Sequence, residues 1–87
     1  MNANKQTPKE KEILSNYGVF QQLLPSVLIS HKRQIALMRH GEVVGYYNSP
    51  SDAIKYGKQN FTDKLFSTHR VESSDEAVEF GWLSQQV

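Results

Sequence analysis

The chain contains no cysteine. That excludes a disulfide framework and any thiolate-held metal. Long hydrophobic runs are missing too: no apolar stretch approaches the roughly 18 residues of a membrane-spanning helix. The opening residues, MNANKQTPKEKE, lack the apolar stretch of a secretory signal. Together these absences read as a cytoplasmic protein. An excess of one charge is also missing, since ten Lys and Arg face nine Asp and Glu for a net charge of +1. What is present is 87 residues with 38% hydrophobic and 22% charged content, which fits one small folded domain. A chain this short buries only about two thirds of the surface its unfolded form exposes, so its core is thin.

The near-neutral total hides an uneven layout. Residues 31–71 hold seven basic side chains against three acidic ones, and all three histidines, His31, His40 and His69. Residues 72–87 hold four acids and no base. Two readings stand: ordinary solvated charge, or a basic face toward an acidic partner with the acidic tail folding over it.

The segment QIALMRHGEVVGYYNS, 34–49, holds two β-rich runs around His40-Gly41. A two-residue loop with Gly second predicts a type I′ hairpin. In regular register Arg39 faces Glu42, an opposite-charge pair. Met38 then faces Val43, Leu37 faces Val44, Ala36 faces Gly45 and Ile35 faces Tyr46. One face carries Ala36, Met38, Val43, Gly45 and Tyr47, and the other carries Ile35, Leu37, Val44 and Tyr46. Both are apolar, so both need cover.

Ser49 and Pro50 predict a capped helix over 50–60, with Asp52 three residues after the cap. Ala53, Ile54, Gly57 and Phe61 share its inner face. Gly57 implies a close approach to the sheet, over Ala36 and Gly45. Residues 63–71, DKLFSTHRV, predict a third strand anchored by Leu65, Phe66 and Val71. Toward the N-terminus, Thr7-Pro8-Lys9-Glu10 spells a capping box, and Ile13, Leu14, Tyr17, Phe20 and Leu24 recur near the helical period. Pro25 either ends this helix or starts another. The tail is ambiguous between a helical turn from Ser74 and an extended strap.

These elements define an α+β domain. Residues 1–6 are expected to be unstructured, 8–31 helical, 34–71 a ββαβ core and 72–87 an acidic tail. A right-handed crossover gives a three-stranded antiparallel sheet of order 2-1-3 packed on a helix. The second sheet face falls to the N-terminal helix, the tail or a second subunit.

The run GEVVGYYNSPSDAIKYGKQNF followed by LFSTHRV resembles a family of small stand-alone bacterial domains of unknown function, especially of cyanobacterial type. TPKEKEILSNYGVFQQLLPSVL and VEFGWLSQQV are similar to the ends of such chains. The resemblance covers residues 31–71 best. It implies the hairpin, helix and strand fold and no catalytic residues. It also implies a partner, a retropepsin-like aspartic protease encoded nearby. Two positions depart from the pattern: Arg33 and Thr62 stand where relatives carry glycine. Arg33 would strain the turn if a left-handed conformation is required there.

Candidate chemistry is sparse. His40 sits at the hairpin tip and His31 near the far end of the same strand, too distant to share a metal. Ser67 and His69 share a strand face, but their backbones lie about 6–7 Å apart and no nucleophile elbow surrounds them. Gly57-Lys58 lacks the rest of a phosphate loop. Capping accounts for Asp52, pairing with Arg39 for Glu42, and a turn for Asp63, leaving no carboxylate pair for acid–base work. No cofactor and no catalytic or metal residue is assigned.

The preferred reading is a non-catalytic interaction module. It acts through an apolar sheet face and an open strand edge toward another protein or a second copy as a homodimer. Ile35, Leu37, Val44 and Tyr46, with Phe80 and Trp82 from the tail, are the candidate partner-binding residues. The alternative is a nucleic-acid module with Tyr46 and Phe66 as stacking platforms and Arg39, Lys64 and Arg70 as backbone contacts.

Overall fold

The structure, a computed structural model, describes residues 6–73. Helix α1 runs Pro8–His31, followed by strands β1 (Ile35–Arg39) and β2 (Glu42–Tyr47), helix α2 (Pro50–Asn60) and strand β3 (Ser67–Arg70). The sheet order is β2-β1-β3, antiparallel throughout, as the crossover argument requires. Expectations for residues 1–5 and for the tail from Ser74, including Phe80 and Trp82, lie outside the described residues.

Both helices begin on the caps the sequence announces. Thr7 Oγ1 accepts from the Glu10 N–H, and Glu10 Oε1 accepts from the Thr7 N–H. Ser49 Oγ accepts from the Asp52 N–H. Pro25 neither ends α1 nor starts another helix; it lies inside one continuous helix. An interior proline costs about 3 kcal/mol. Burial on both sides of it offsets that cost: Phe20 is buried before it, and Leu24, Val27 and Leu28 pack on the same cluster around it.

The central strand β1 is covered on both faces, with Ile35, Ala36, Leu37 and Met38 all 3% exposed or less. Beneath α1, Ala36 and Met38 pack with Phe20 and Val71. Beneath α2, Ile35 and Leu37 pack with Ala53 and Phe66. The chain's own two helices therefore supply the cover for both sheet faces.

Three expectations need correction. The hairpin does turn at His40 and Gly41 with positive φ at both, the type I′ signature. Its register, however, slips after Met38–Val43, so that Leu37 pairs Gly45, Ala36 pairs Tyr46 and Ile35 pairs Tyr47. Val44 is the extra residue of a β-bulge. The slip exchanges the tyrosines: Tyr46 packs on the α1 side and Tyr47 on the α2 side. Tyr46 stacks on the His31 ring at 3.6 Å between centroids. Gly45 lies under the Tyr47 ring, where a Cβ would come within 3.0 Å of the phenol oxygen.

The second correction concerns Gly57. Its close approach is to Phe66, whose ring would lie 2.7 Å from a Cβ, and not to Ala36, which faces the other helix. The third concerns α1. Its buried stripe toward the N-terminus is Glu12, Asn16 and Phe20, while Ile13, Leu14 and Tyr17 are 38%, 55% and 48% exposed. The physical reason lies in the hairpin tip, whose backbone N–H groups point at α1 and need acceptors there.

Arg33 has φ of +71° just after the C-cap Lys32. This is the left-handed site that favours glycine, so the strain anticipated from the sequence is present. Its N–H donates to the Val71 carbonyl, which ties the end of β3 to the start of β1.

Candidate functional site

Two constellations stand out. The first is a buried polar chain between α1 and the hairpin. Glu12 accepts from the His40 N–H at 2.6 Å and bonds the His40 ring Nδ1 at 2.9 Å. Asn16 Oδ1 accepts from the Gly41 N–H at 2.7 Å. Asn16 Nδ2 donates to Glu12, to the Ser67 hydroxyl and, at a longer 3.3 Å, to the Met38 carbonyl. Burial pushes the Glu12 carboxyl up, but the donors from His40 and Asn16 outweigh it and hold the group below its ordinary value. Two side chains at helical i, i+4 spacing thus receive both turn N–H groups.

Ser67 and His69 do meet, contrary to the backbone-spacing argument, with Oγ and Nε2 2.8 Å apart. Side chains on one strand face lean together across the pleat. Asn16 donates to Ser67 Oγ, and the same oxygen bonds His69 Nε2. Burial lowers the His69 pKa from 6.5, which agrees with a neutral imidazole. The ring stacks on Phe20 at 5.2 Å. Ser67 is 7% exposed, and its oxygen is engaged from two sides, so the pair completes the core's polar accounting.

The second constellation is the outer edge of β3. Both the N–H and the C=O of Val71 bond toward β1, to Gln34 and Arg33. Antiparallel pairing alternates, so Thr68, three residues earlier, turns its N–H and C=O away from β1. On this side lies an open groove of about 430 Å³ lined by Lys9 and Ile13 of α1, Ile54 and Lys58 of α2, and Phe66, Ser67 and Thr68. Lys9 sits at one end. Its ammonium donates to the Lys64 and Phe66 carbonyls at 2.8 and 2.7 Å and lies 4.3 Å from the Phe66 ring centroid. A lysine bonded to edge carbonyls is a device that blunts strand addition, and here it leaves Thr68 as the groove's backbone contact point.

The candidate residues from the sequence do not assemble on one surface. Ile35 and Leu37 are core residues under α2. Val44 is exposed at the bulge, on the opposite edge strand from the groove, and Tyr46 is half-buried on the α1 side. The nucleic-acid set fares similarly. Arg39 forms a two-pronged pair with Asp63 at 2.7 and 3.1 Å, donates to the Leu65 carbonyl and lies over the Phe61 ring. Its guanidinium thus goes to Asp63, although its backbone partner is Glu42 as expected. The Arg39 bonds, with a further one from the Leu65 N–H, hold the Asp63 pKa at about 2. Phe66 is buried and offers no open platform; Lys64 and Arg70 lie at opposite ends of the β3 segment.

The histidines occupy separate environments, and among the described residues no group of three His, Cys, Asp or Glu converges for a metal. No described helix is long and apolar enough to cross a membrane. The chain matches no protein-family model, no curated protein and no solved structure.

Sequence reasoning found neither Glu12 and Asn16 nor the groove. The first had a faint signal: two polar residues four apart, followed by Phe20 at the next i+4 position. The groove had none, since its walls come from three elements far apart in sequence.

Proposed function

We propose that this domain is a non-catalytic protein-interaction module that accepts an extended segment of another polypeptide along the outer edge of β3. The supporting observation is that Thr68, on the outer edge of β3, lines a groove walled by both helices, and the alternation of antiparallel pairing turns its backbone N–H and C=O away from β1. Strand addition uses such an edge, with backbone bonds for affinity and alternate side chains for specificity. Ile13 and Ile54 supply apolar walls, and Lys9 and Lys58 supply positive charge. The matching partner is an extended segment with alternating apolar residues and acidic residues between them. The sheet faces do not take part in this reading, since α1 and α2 cover them.

The test is selection of binders from a displayed library of random peptides against the full chain. Acidic, alternately apolar sequences are expected. Their binding should be abolished by Thr68→Pro, which removes the edge N–H where proline is tolerated, and weakened by Lys58→Glu. Unchanged far-ultraviolet circular dichroism in both variants separates lost binding from lost fold. Binders indifferent to both substitutions would overturn the proposal.

A further inference from the structure

We infer that Lys9 is a latch on the outer edge of β3 that selects the partner: a carboxylate on the incoming segment draws the Lys9 ammonium off the edge, which frees the Phe66 carbonyl for a backbone N–H of that segment. The inference rests on reading the β3 edge as a strand-accepting surface, and it assigns the specificity of that surface to one side chain.

Backbone direction comes first. Val71 bonds toward β1 through both its N–H and its C=O, and along this stretch Ser67, His69 and Val71 alternate with Phe66, Thr68 and Arg70. Phe66 therefore turns its carbonyl the same way as Thr68, away from β1. The bond that this carbonyl accepts from Lys9 of α1 agrees with that direction. Phe66 and Thr68 stand two residues apart, the spacing at which a neighbouring antiparallel strand exchanges backbone bonds.

Occupancy comes second. The Lys9 ammonium lies 2.7 Å from the Phe66 oxygen and 2.8 Å from the Lys64 oxygen. It bridges two carbonyls along the edge, within the corridor of about 4.8 Å that a neighbouring backbone needs. The Phe66 ring, with its centroid 4.3 Å from the ammonium, helps to hold it there. A strand that pairs with Phe66 has to move it.

The chemistry of the exchange names the partner. An ammonium that leaves two carbonyls needs another acceptor, and a carboxylate gives a stronger, charge-assisted bond than a neutral oxygen does. With an acidic segment, the carboxylate takes Lys9 and the segment's N–H takes Phe66, so no group is left unpaired. A neutral segment forfeits a charge-assisted bond on either side of the exchange.

The experiment runs the displayed-peptide selection in parallel on the full chain and on Lys9→Met, which keeps an apolar stem beside Phe66 and removes the ammonium. Wild type should select segments with an acid at one fixed position of the alternating pattern, and Lys9→Met should lose the acid at that position. Neutral peptides from the Lys9→Met selection should bind that variant about tenfold more tightly than wild type, the factor one forfeited charge-assisted bond carries. Lys58 also lines the groove, so Lys58→Met is the comparison for charge alone and should not raise the affinity of those neutral peptides. Matching far-ultraviolet circular dichroism and urea midpoints separate these effects from a change of fold.

Neutral peptides that bind wild type and Lys9→Met equally would overturn the inference, because Lys9 would then attract acids without closing the edge. So would acid enrichment that survives Lys9→Met at every position. Either failure leaves the edge reading standing if the peptides still lose binding on Thr68→Pro. Peptides indifferent to Thr68→Pro, or none from either selection, sink that reading and the latch with it.

Discussion

Asn16 is the residue on which the union of α1 with the sheet should depend most. It is fully buried. Its amide satisfies the Gly41 N–H and shares two hydrogens among Glu12, Ser67 and the Met38 carbonyl. Asn16→Ala removes all of these at once. Each buried group left unpaired costs about 1–3 kcal/mol, and a bond to an ionised group such as Glu12 lies toward the upper end. The Gly41 N–H and the Glu12 contact alone give about 3–5 kcal/mol. Total stability for 87 residues is about 4–13 kcal/mol, so the variant should lose a large part of it. Urea denaturation followed by circular dichroism reads this directly. Asn16→Asp adds a sign test. It keeps the acceptor for Gly41 but sets a second carboxylate about where Nδ2 lies, 3.1 Å from Glu12. Two such carboxylates cannot both ionise cheaply, so one folded-state pKa rises. Stability from a raised carboxyl pKa is present at low pH and lost as pH climbs through it. Relative to wild type, Asn16→Asp should therefore recover as pH falls from 7 toward 4. A cost below about 1 kcal/mol for Asn16→Ala would refute the reasoning. So would additivity of Asn16→Ala with Ser67→Ala to within about 0.5 kcal/mol, since directly bonded partners should couple.

Gly57→Ala gains up to about 1 kcal/mol of helix propensity yet should destabilise by about 1–2 kcal/mol net. The new Cβ would sit 2.7 Å from the Phe66 ring, which is packed against Phe61 and Lys9, and overpacking of this kind costs about 1–3 kcal/mol; thermal melts decide the sign. Leu37→Asp should leave the chain unfolded, because Leu37 is wholly buried and the charge would have no partner. Val44→Asp, at the exposed bulge, should change stability by no more than about 0.5 kcal/mol, and equal effects of the two in denaturation would contradict the register. Finally, the lowered His69 pKa means the unfolded chain binds a proton that the folded chain refuses. Stability should fall as pH drops below about 6.5, with further loss below about 4 as Glu12 and Asp63 protonate. An NMR titration that shows His69 protonating at or above 6.5 would contradict this.

Much of the architecture is legible in the sequence because it is written in local chemistry. The Thr7 and Ser49 caps start the two helices, and His40-Gly41 sets the turn. Two apolar runs of alternating direction make a hairpin, and the handedness of crossovers then fixes the order β2-β1-β3. The expectation of strain at Arg33, which has a φ of +71°, came from the resemblance and not from any local pattern. Tertiary structure decided what depends on neighbours that local patterns do not name. The bulge at Val44 exchanges Tyr46 and Tyr47 between faces, because a shift of one residue reverses every side chain beyond it. Ile13 and Tyr17 lost the core to Glu12 and Asn16, because the turn's N–H groups needed acceptors more than the sheet needed further apolar cover. Pro25 sits inside a helix because packing on both sides outweighs one missing bond. The groove at β3 exists only where α1, α2 and the sheet edge converge, and no single stretch of sequence contains it.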